Sequence, residues 1–277
     1  MLDFHAPDPR IAAVRQLWQQ FQLQLEQRFD EILAEVEHAC ATLLVEDADE
    51  AEAMSGAWVT AHARASDLAT CLADAWNDQF GPRLRSLGAD DDAITYARYE
   101  LEALQDRMEV RLEHTRLRVF AEAARIRWVR ALRDAPSGMS CPCCGARTPI
   151  PATFGPTEVG CPSCGTRMTY EPGPRVRMLE RGCVHALCEE ASWEPWLAMR
   201  QAERTLHAAP HETLELLQAY EHTQIVYWHT YLQARVALLP HTAQSFTVDL
   251  RNQLQPWYLH VEHRAAWARA GRPRALS

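Results

Sequence analysis

The chain contains no lysine: all 28 of its Lys and Arg positions are arginine. A Walker-type phosphate loop, a protein-kinase site and a Schiff-base enzyme each depend on a lysine amine, so the sequence excludes these three chemistries. Two explanations of the absence stay open. A GC-rich coding sequence favours arginine and alanine codons, and selection against a modifiable amine would give the same result.

Glycine is scarce as well, with 11 residues in 277, most of them around one short segment or at predicted helix ends. Enzyme sites are commonly built on loops, and this chain has few residues suited to long loops. The sequence also contains neither a Gly-x-Ser-x-Gly nucleophile motif nor a glycine-rich phosphate loop. These absences favour a protein that is not an enzyme.

Long apolar runs are missing too. No stretch of about 18 apolar residues occurs, so we expect no membrane span. Residues 1–5 begin with an acidic segment and lack the apolar core of a signal peptide, which favours a reducing, cytoplasmic setting. With 47% hydrophobic residues, the chain can bury one or two full cores.

Two near-identical pentapeptides lie twenty residues apart: Cys-Pro-Cys-Cys-Gly at 141–145 and Cys-Pro-Ser-Cys-Gly at 161–165. Each contains a Cys-x-x-Cys pair, and sixteen residues separate the pairs, which is the spacing of a four-cysteine zinc site. Proline after the first cysteine favours a tight turn, and glycine after the second permits positive φ, so backbone N–H groups can point at the sulfurs. The predicted metal ligands are Cys141, Cys144, Cys161 and Cys164.

These pentapeptides resemble the knuckles of the zinc-ribbon group, which have the rubredoxin-like pattern Cys-Pro-x-Cys-Gly. The resemblance covers only about residues 139–172 and implies a small β-hairpin fold with one structural zinc. Zinc ribbons occur in nucleic-acid-binding, protein-docking and purely structural modules. Iron bound as in rubredoxin is the alternative metal, and Cys143 is a fifth thiol that can compete for it. The odd number of nine cysteines argues against a disulfide framework.

Three apolar stripes precede this ribbon, at residues 11–43, 54–80 and 94–129. Each repeats with the 3.6-residue period of an amphipathic helix and therefore predicts one long helix. Gly81-Pro82 predicts a stop or kink after the second stripe. We expect an elongated antiparallel three-helix bundle, of coiled-coil character, over residues 1–136.

Helices return after the ribbon, which we place at residues 137–173 with strand pieces around 148–150 and 167–170. Ser192 is the expected N-terminal cap of one helix, and Pro256 is expected to kink or split another. The predicted helices lie at 175–190, 193–208, 211–239 and about 243–270. The fold class is thus mainly α, with a small inserted β zinc ribbon and a C-terminal helical region at 174–277.

Charge is segregated along the chain. Residues 1–106 carry 7 arginines against 21 acidic residues, whereas residues 107–181 carry 13 arginines against 7 acidic residues. The basic segment can contact nucleic acid or another anionic partner, or it can pair with the acidic helices of the same protein. The candidate contact residues are Arg111, Arg118, Arg125 and Arg130. Phe154 and Tyr170 are the only stacking aromatics of the ribbon, which argues against single-strand recognition.

The C-terminal region is rich in tryptophan and tyrosine. Such residues at helical spacing commonly form a core, and the alternative is a docking surface, because Tyr and Trp are typical anchors of protein interfaces. The docking candidates are Trp257, Tyr258 and Trp267.

Two weaker metal patterns remain. One pattern comprises Cys183, His185 and Cys188, but cysteines are commonly buried without any metal. The other comprises the late histidines, among them His222 and His229. A di-iron bundle needs two Glu-x-x-His motifs, and the chain has a single one, at 35–38.

These features predict a non-enzymatic adaptor, scaffold or assembly subunit that docks a protein partner and carries a structural zinc ribbon. The alternative is a nucleic-acid-associated zinc-ribbon factor that uses residues 107–181. A more remote alternative is a helical-bundle metalloenzyme. Self-association is compatible with each of these, and the sequence names no partner.

Overall fold

The computed structural model describes residues 8–46, 51–150 and 154–269. The protein is mainly α-helical, and two small antiparallel sheets interrupt the helices. The chain divides into two compact units, residues 1–120 and 121–277. This arrangement confirms the predicted fold class of a helical protein with a small β insertion.

Long helices build the first unit. Their apolar stripes fall where the sequence periodicity predicts them, since Val14, Trp18, Phe29 and Leu72 are all at most 2% exposed. Trp18 packs against other aromatic residues of this core, with its ring 5.4 Å from that of Trp76 and 4.8 Å from that of Phe80. The elements are α1 (Pro9–Glu46), α2 (Ala51–Ala75), a π-helix (Trp76–Phe80), α3 (Gly81–Ser86) and α4 (Asp91–Asp134).

Cross-helix contacts fix the directions of these helices. Arg107 and Arg118 of α4 pair with Glu26 and Glu37 of α1, so the numbers rise together and the two helices run parallel. In α2 the numbers run the other way, because Trp58 packs edge-on against Phe120 whereas Gln105 donates to the carbonyl oxygen of Ala69. The bundle is therefore up-down-up, which confirms the antiparallel prediction.

The predicted stop at Gly81-Pro82 takes the form of a change in helix type. The N–H of Gly81 bonds to the carbonyl oxygen of Trp76, five residues back, and closes a π-helical turn. A Cβ at Gly81 would lie 3.0 Å from that same oxygen, so a side chain would press on this turn. Pro82 then occupies the first turn of α3, where its missing N–H is not needed.

The buried face of α4 changes along its length. Residues Leu101, Leu104 and Met108 face the core of the first unit as predicted. Val129, which the stripe placed in the core, is 66% exposed, whereas Ala124 and Ala131 are buried against a different set of helices in the second unit. The expectation for Val129 was wrong because one continuous helix packs in two cores that need different faces.

The second unit contains the β insertion and the remaining helices. These are α5 (Pro174–Gly182), α6 (Val184–Ala191), α7 (Trp193–Ala208), α8 (Leu214–Leu238), a 3₁₀-helix (Pro240–Gln244) and α9 (Phe246–Arg269). The predicted helix 193–208 matches α7, and the predicted helix 175–190 is divided at Cys183. Within the described residues, no helix is both long and apolar enough to cross a membrane.

Two local expectations in this unit hold only in part, because Ser192 takes the N-cap position before α7 and Pro256 lies within the last helix, as expected, but their local effects differ. The Ser192 hydroxyl donates to the carbonyl oxygen of Cys188 at 2.7 Å, so this residue closes α6 and does not cap α7 with its side chain. Pro256 lies inside the single helix α9 and does not split it. Neighbouring helix packing can hold a proline-containing helix together, although the ring removes one backbone hydrogen bond.

Candidate metal centre

Two short β-hairpins present the pentapeptides. In the first, β1 (Gly138–Ser140) pairs with β2 (Arg147–Pro149); in the second, β3 (Thr157–Gly160) pairs with β4 (Arg167–Tyr170). Each pentapeptide forms the turn, here called a knuckle, between the two strands of its hairpin. The predicted strand at 167–170 is confirmed, and the predicted strand at 148–150 lies one residue earlier than expected.

The two knuckles share one backbone conformation. The N–H of Gly145 donates to the carbonyl oxygen of Cys141 at 2.9 Å. The N–H of Cys141 donates to the carbonyl oxygen of Ala146, also at 2.9 Å. Cys161, Gly165 and Thr166 repeat both bonds in the second knuckle. Both glycines have positive φ, +74° at Gly145 and +73° at Gly165, as the sequence predicts.

The four predicted ligands come together. The Sγ atoms of Cys141 and Cys164 are 3.6 Å apart, as are those of Cys144 and Cys161, and all four sulfurs lie within 4.8 Å of one another. A tetrahedral ion with bonds of about 2.3 Å needs sulfurs about 3.8 Å apart. The four thiols, referred to below as the tetrad, can therefore hold a metal ion.

The tetrad has a buried and an exposed side. Cys141 and Cys161 are 2% and 3% exposed and pack against Met168, whereas Cys144 and Cys164 are exposed. Cysteine supplies all four donors, which leaves no position for a substrate. A closed set of this kind is typical of structural metal sites.

Hydrogen bonds make the tetrad thiols unequal. The Thr166 hydroxyl and its N–H lower the pKa of Cys164 to about 6, and the neighbouring sulfurs add to this shift. The N–H groups of Cys164 and Ser163 lower the pKa of Cys161. At Cys144 the N–H of Ala146 favours the thiolate, but the sulfurs of Cys164 and Cys161 outweigh it and raise the pKa to about 12.

One residue of the site was missed in the sequence. The Oγ1 atom of Thr166 lies 3.1 Å from Sγ of Cys164. Position 146 in the first knuckle corresponds to position 166, and it holds alanine. Aligning the two knuckles would have revealed this difference, because it is a hydroxyl in one copy and a methyl in the other.

The ribbon aromatics are used for packing. Phe154 stacks at a tilt on Trp128 of α4, with ring centroids 5.3 Å apart, and Tyr170 is 8% exposed. Both residues therefore contribute to the interior of the second unit.

Three of the four candidate arginines have acidic partners. Arg111 pairs with Glu26 and Asp30, and Arg118 pairs with Glu37 at 2.9 Å. Arg125 pairs with Glu122 at 2.7 Å and with Glu190. Arg130 is exposed, and no ion pair within the described ranges involves it. These three arginines are thus paired with carboxylates of the same protein, and this pairing favours the second of the two alternatives given above.

The docking candidates differ in exposure. Trp257 is 8% exposed and packs edge-on against Tyr220 at 4.9 Å, so it is a core residue and not an exposed anchor. Tyr258, the next residue, is 39% exposed. The side chain of Trp267 lies outside the described residues.

The described part of the chain brings together no second group of three or more potential metal ligands. There, the tetrad is the one group of three or more Cys, His, Asp or Glu side chains with ligand atoms close enough for an ion. Cys183 and Cys188 are buried, and burial raises the pKa of Cys188 to about 11. His185 instead hydrogen-bonds through Nδ1 to the Tyr231 hydroxyl at 2.7 Å, and His229 packs on Phe246.

Comparison with protein-family models, with curated proteins and with solved structures gives no match for this chain. The assignment of the candidate metal site therefore rests on its geometry and on the resemblance of its knuckles to those of zinc ribbons.

Proposed function

We propose that the protein is a non-enzymatic adaptor, scaffold or assembly subunit with one structural zinc ion in its tetrad. The observation that carries the metal assignment is the closed set of four sulfurs, held by two hairpins of matching geometry. Zinc is the metal we propose because it favours tetrahedral thiolate sites and does not undergo redox reactions, as suits a structural ion. Iron is the alternative outcome of a metal analysis.

A groove on the first unit supports the docking proposal. It has a volume of about 440 Å³ and is lined by Phe21 of α1 and Phe80 of the π-helix, together with Asp67 and Asp74 of α2 and Asp78. Grooves of this size accommodate an anchoring side chain or a small ligand. π-Helical turns also occur frequently at functional sites.

The composition of this groove suggests the chemistry of its partner. Aromatic walls favour an apolar side chain, and the three aspartates at the rim favour a positive charge. Residues 1–106 carry 7 arginines against 21 acidic residues, so the surrounding surface adds to the attraction. We propose a protein segment with an apolar anchor beside basic residues as the partner.

The nucleic-acid alternative has less support. Phosphate contacts need arginines that are available to the backbone of the nucleic acid. Arg111, Arg118 and Arg125 are instead engaged with carboxylates. We therefore keep protein docking as the proposed function.

Affinity capture with charge-reversed variants tests the docking proposal. Asp67→Arg combined with Asp74→Arg reverses the rim of the groove, and Glu100→Arg on α4 is the control because it does not line the groove. We expect a partner captured by the wild type to bind the control normally and to bind the double variant at least tenfold more weakly. Equal capture by all three, with melting temperatures unchanged, would remove the groove from the proposal.

A further inference from the structure

The exposed ligands of the two knuckles have the same exposure and the same kind of backbone hydrogen bond. Cys144 and Cys164 are each the second metal ligand of a knuckle, and both are exposed. Each sulfur accepts a hydrogen bond from the N–H two residues further on, from Ala146 in the first case and Thr166 in the second. A difference between these two cysteines must therefore come from side chains.

Side chains differ at two corresponding positions. Thr166 places its hydroxyl 3.1 Å from Sγ of Cys164, whereas Ala146 has no group that can donate to Cys144. The first knuckle carries the exposed thiol Cys143 where the second carries Ser163. Both differences favour earlier loss of the exposed ligand of the first knuckle, because Thr166 holds Cys164 in place whereas Cys143 adds a second exposed thiol beside Cys144.

We propose that Thr166 is a positioning residue for the metal, and that it makes Cys164 the retained exposed ligand and Cys144 the one that leaves first. A metal-bound sulfur is a thiolate without a proton, so the Thr166 hydroxyl donates and the sulfur accepts. This bond fixes the rotamer of Cys164 and occupies a sulfur lone pair, which makes the sulfur a poorer nucleophile. Outer hydrogen bonds of this kind typically change metal affinity by about 10–100-fold.

The inference rests on the proposed zinc site but goes further, since it predicts an order of ligand loss. When the metal leaves or an electrophile attacks, the 141–145 knuckle opens first. The 161–165 knuckle keeps its two ligands longer. The ribbon would thus come apart in two distinguishable steps.

Matched variants of the full chain test this order. Thr166→Val removes the hydroxyl at nearly constant volume, Thr166→Ser restores it, and Ala146→Thr adds the missing hydroxyl to the first knuckle. All are made with Cys143→Ser, so that this thiol does not confuse the labelling. Zinc affinity is measured by chelator competition, and N-ethylmaleimide labelling of the zinc-loaded protein is mapped by mass spectrometry.

We expect Cys144 to be labelled before Cys164 in the parent protein. Thr166→Val should lose at least tenfold in zinc affinity and label both cysteines at similar rates, Thr166→Ser should recover the parent behaviour, and Ala146→Thr should slow the labelling of Cys144. Unchanged affinity in Thr166→Val, or Cys164 labelled first in the parent, would overturn the inference. A parent protein that binds no zinc at all would instead overturn the proposed function.

Discussion

Gly145 and Gly165 have φ values of +74° and +73°, in the left-handed region where a side chain is strained. At the scale of single residues these glycines, the prolines and the four cysteines were all predictable, because the tight turn dictates each of them. The Thr166 hydroxyl was not predicted. Its position depends on the fold of the turn and not on the spacing of the cysteines.

Two cysteine substitutions distinguish a metal ligand of the second knuckle from a thiol of the first knuckle that is not a ligand. Cys161→Ser should abolish metal binding and unfold both hairpins, because the metal's binding energy is also the folding energy of such a small β module. Cys143→Ser is the matched control and should keep the metal. Amide hydrogen exchange of residues 138–170 measures the loss, and far-ultraviolet circular dichroism should show the helices largely retained. Equal metal content in both variants would contradict the ligand assignment.

Metal affinity should also depend on pH. At pH 7.5 Cys164, with a pKa of about 6, is already a thiolate, whereas Cys144, with a pKa of about 12, still holds a proton that the metal must displace. Affinity should therefore fall as the pH falls, and more steeply below about 6, where Cys164 also becomes protonated. Chelator competition between pH 8 and pH 5 measures this. A pH-independent affinity would contradict thiolate ligation.

At the scale of elements, periodicity predicted the long helices because each buries one stripe. It failed at Val129, which is 66% exposed, because α4 passes from one core into another and the buried face changes. Ser192 takes the expected N-cap position before α7, but its hydroxyl donates to the carbonyl oxygen of Cys188 in α6 and does not cap α7. The sequence marks a favourable cap residue but does not say which of two adjoining helices it serves.

Helix pairing gives a prediction at the same scale. Arg111→Ala combined with Arg118→Ala removes the three ion pairs from α4 to Glu26, Asp30 and Glu37 of α1. Exposed pairs contribute about 0.5 kcal/mol each, so we expect a small fall in the free energy of unfolding, by about 1.5 kcal/mol in total. Denaturant titration measures it.

The same double variant tests the nucleic-acid alternative. A mobility-shift titration at low and at physiological salt should show no binding by the wild type at micromolar protein. A wild-type shift that weakens with salt, and weakens further in the double variant, would restore the alternative. A melting temperature recorded beside it separates lost contacts from lost folding.

Neighbouring residues of α9 offer a second comparison. Trp257 is 8% exposed and packs on Tyr220, whereas Tyr258 is 39% exposed. Trp257→Ala should cost about 3–5 kcal/mol of unfolding free energy, and Tyr258→Ala should cost far less. Thermal and denaturant unfolding of the two variants measure the difference. Similar losses would contradict the assignment of Trp257 to the core.

At the scale of the whole molecule, the structure places the basic helix segment against acidic helices and leaves an acidic groove on the first unit. Charge segregation in the sequence was visible, but composition could not decide between an internal match and an external partner. The ion pairs of Arg111 and Arg118 favour the internal match. The boundary between units, at residues 120 and 121, lies inside α4, where no change of composition marks it.

The central claim is that one closed metal site, and no catalytic one, organises the ribbon of a docking protein. Its most direct test is the metal content of the purified full chain, by elemental analysis beside native mass spectrometry. We predict one zinc per chain in the wild type and none in Cys161→Ser. Purified protein with all four thiols free and no metal would contradict the claim, as would a second tightly bound transition metal that is lost on changing His222 or His229.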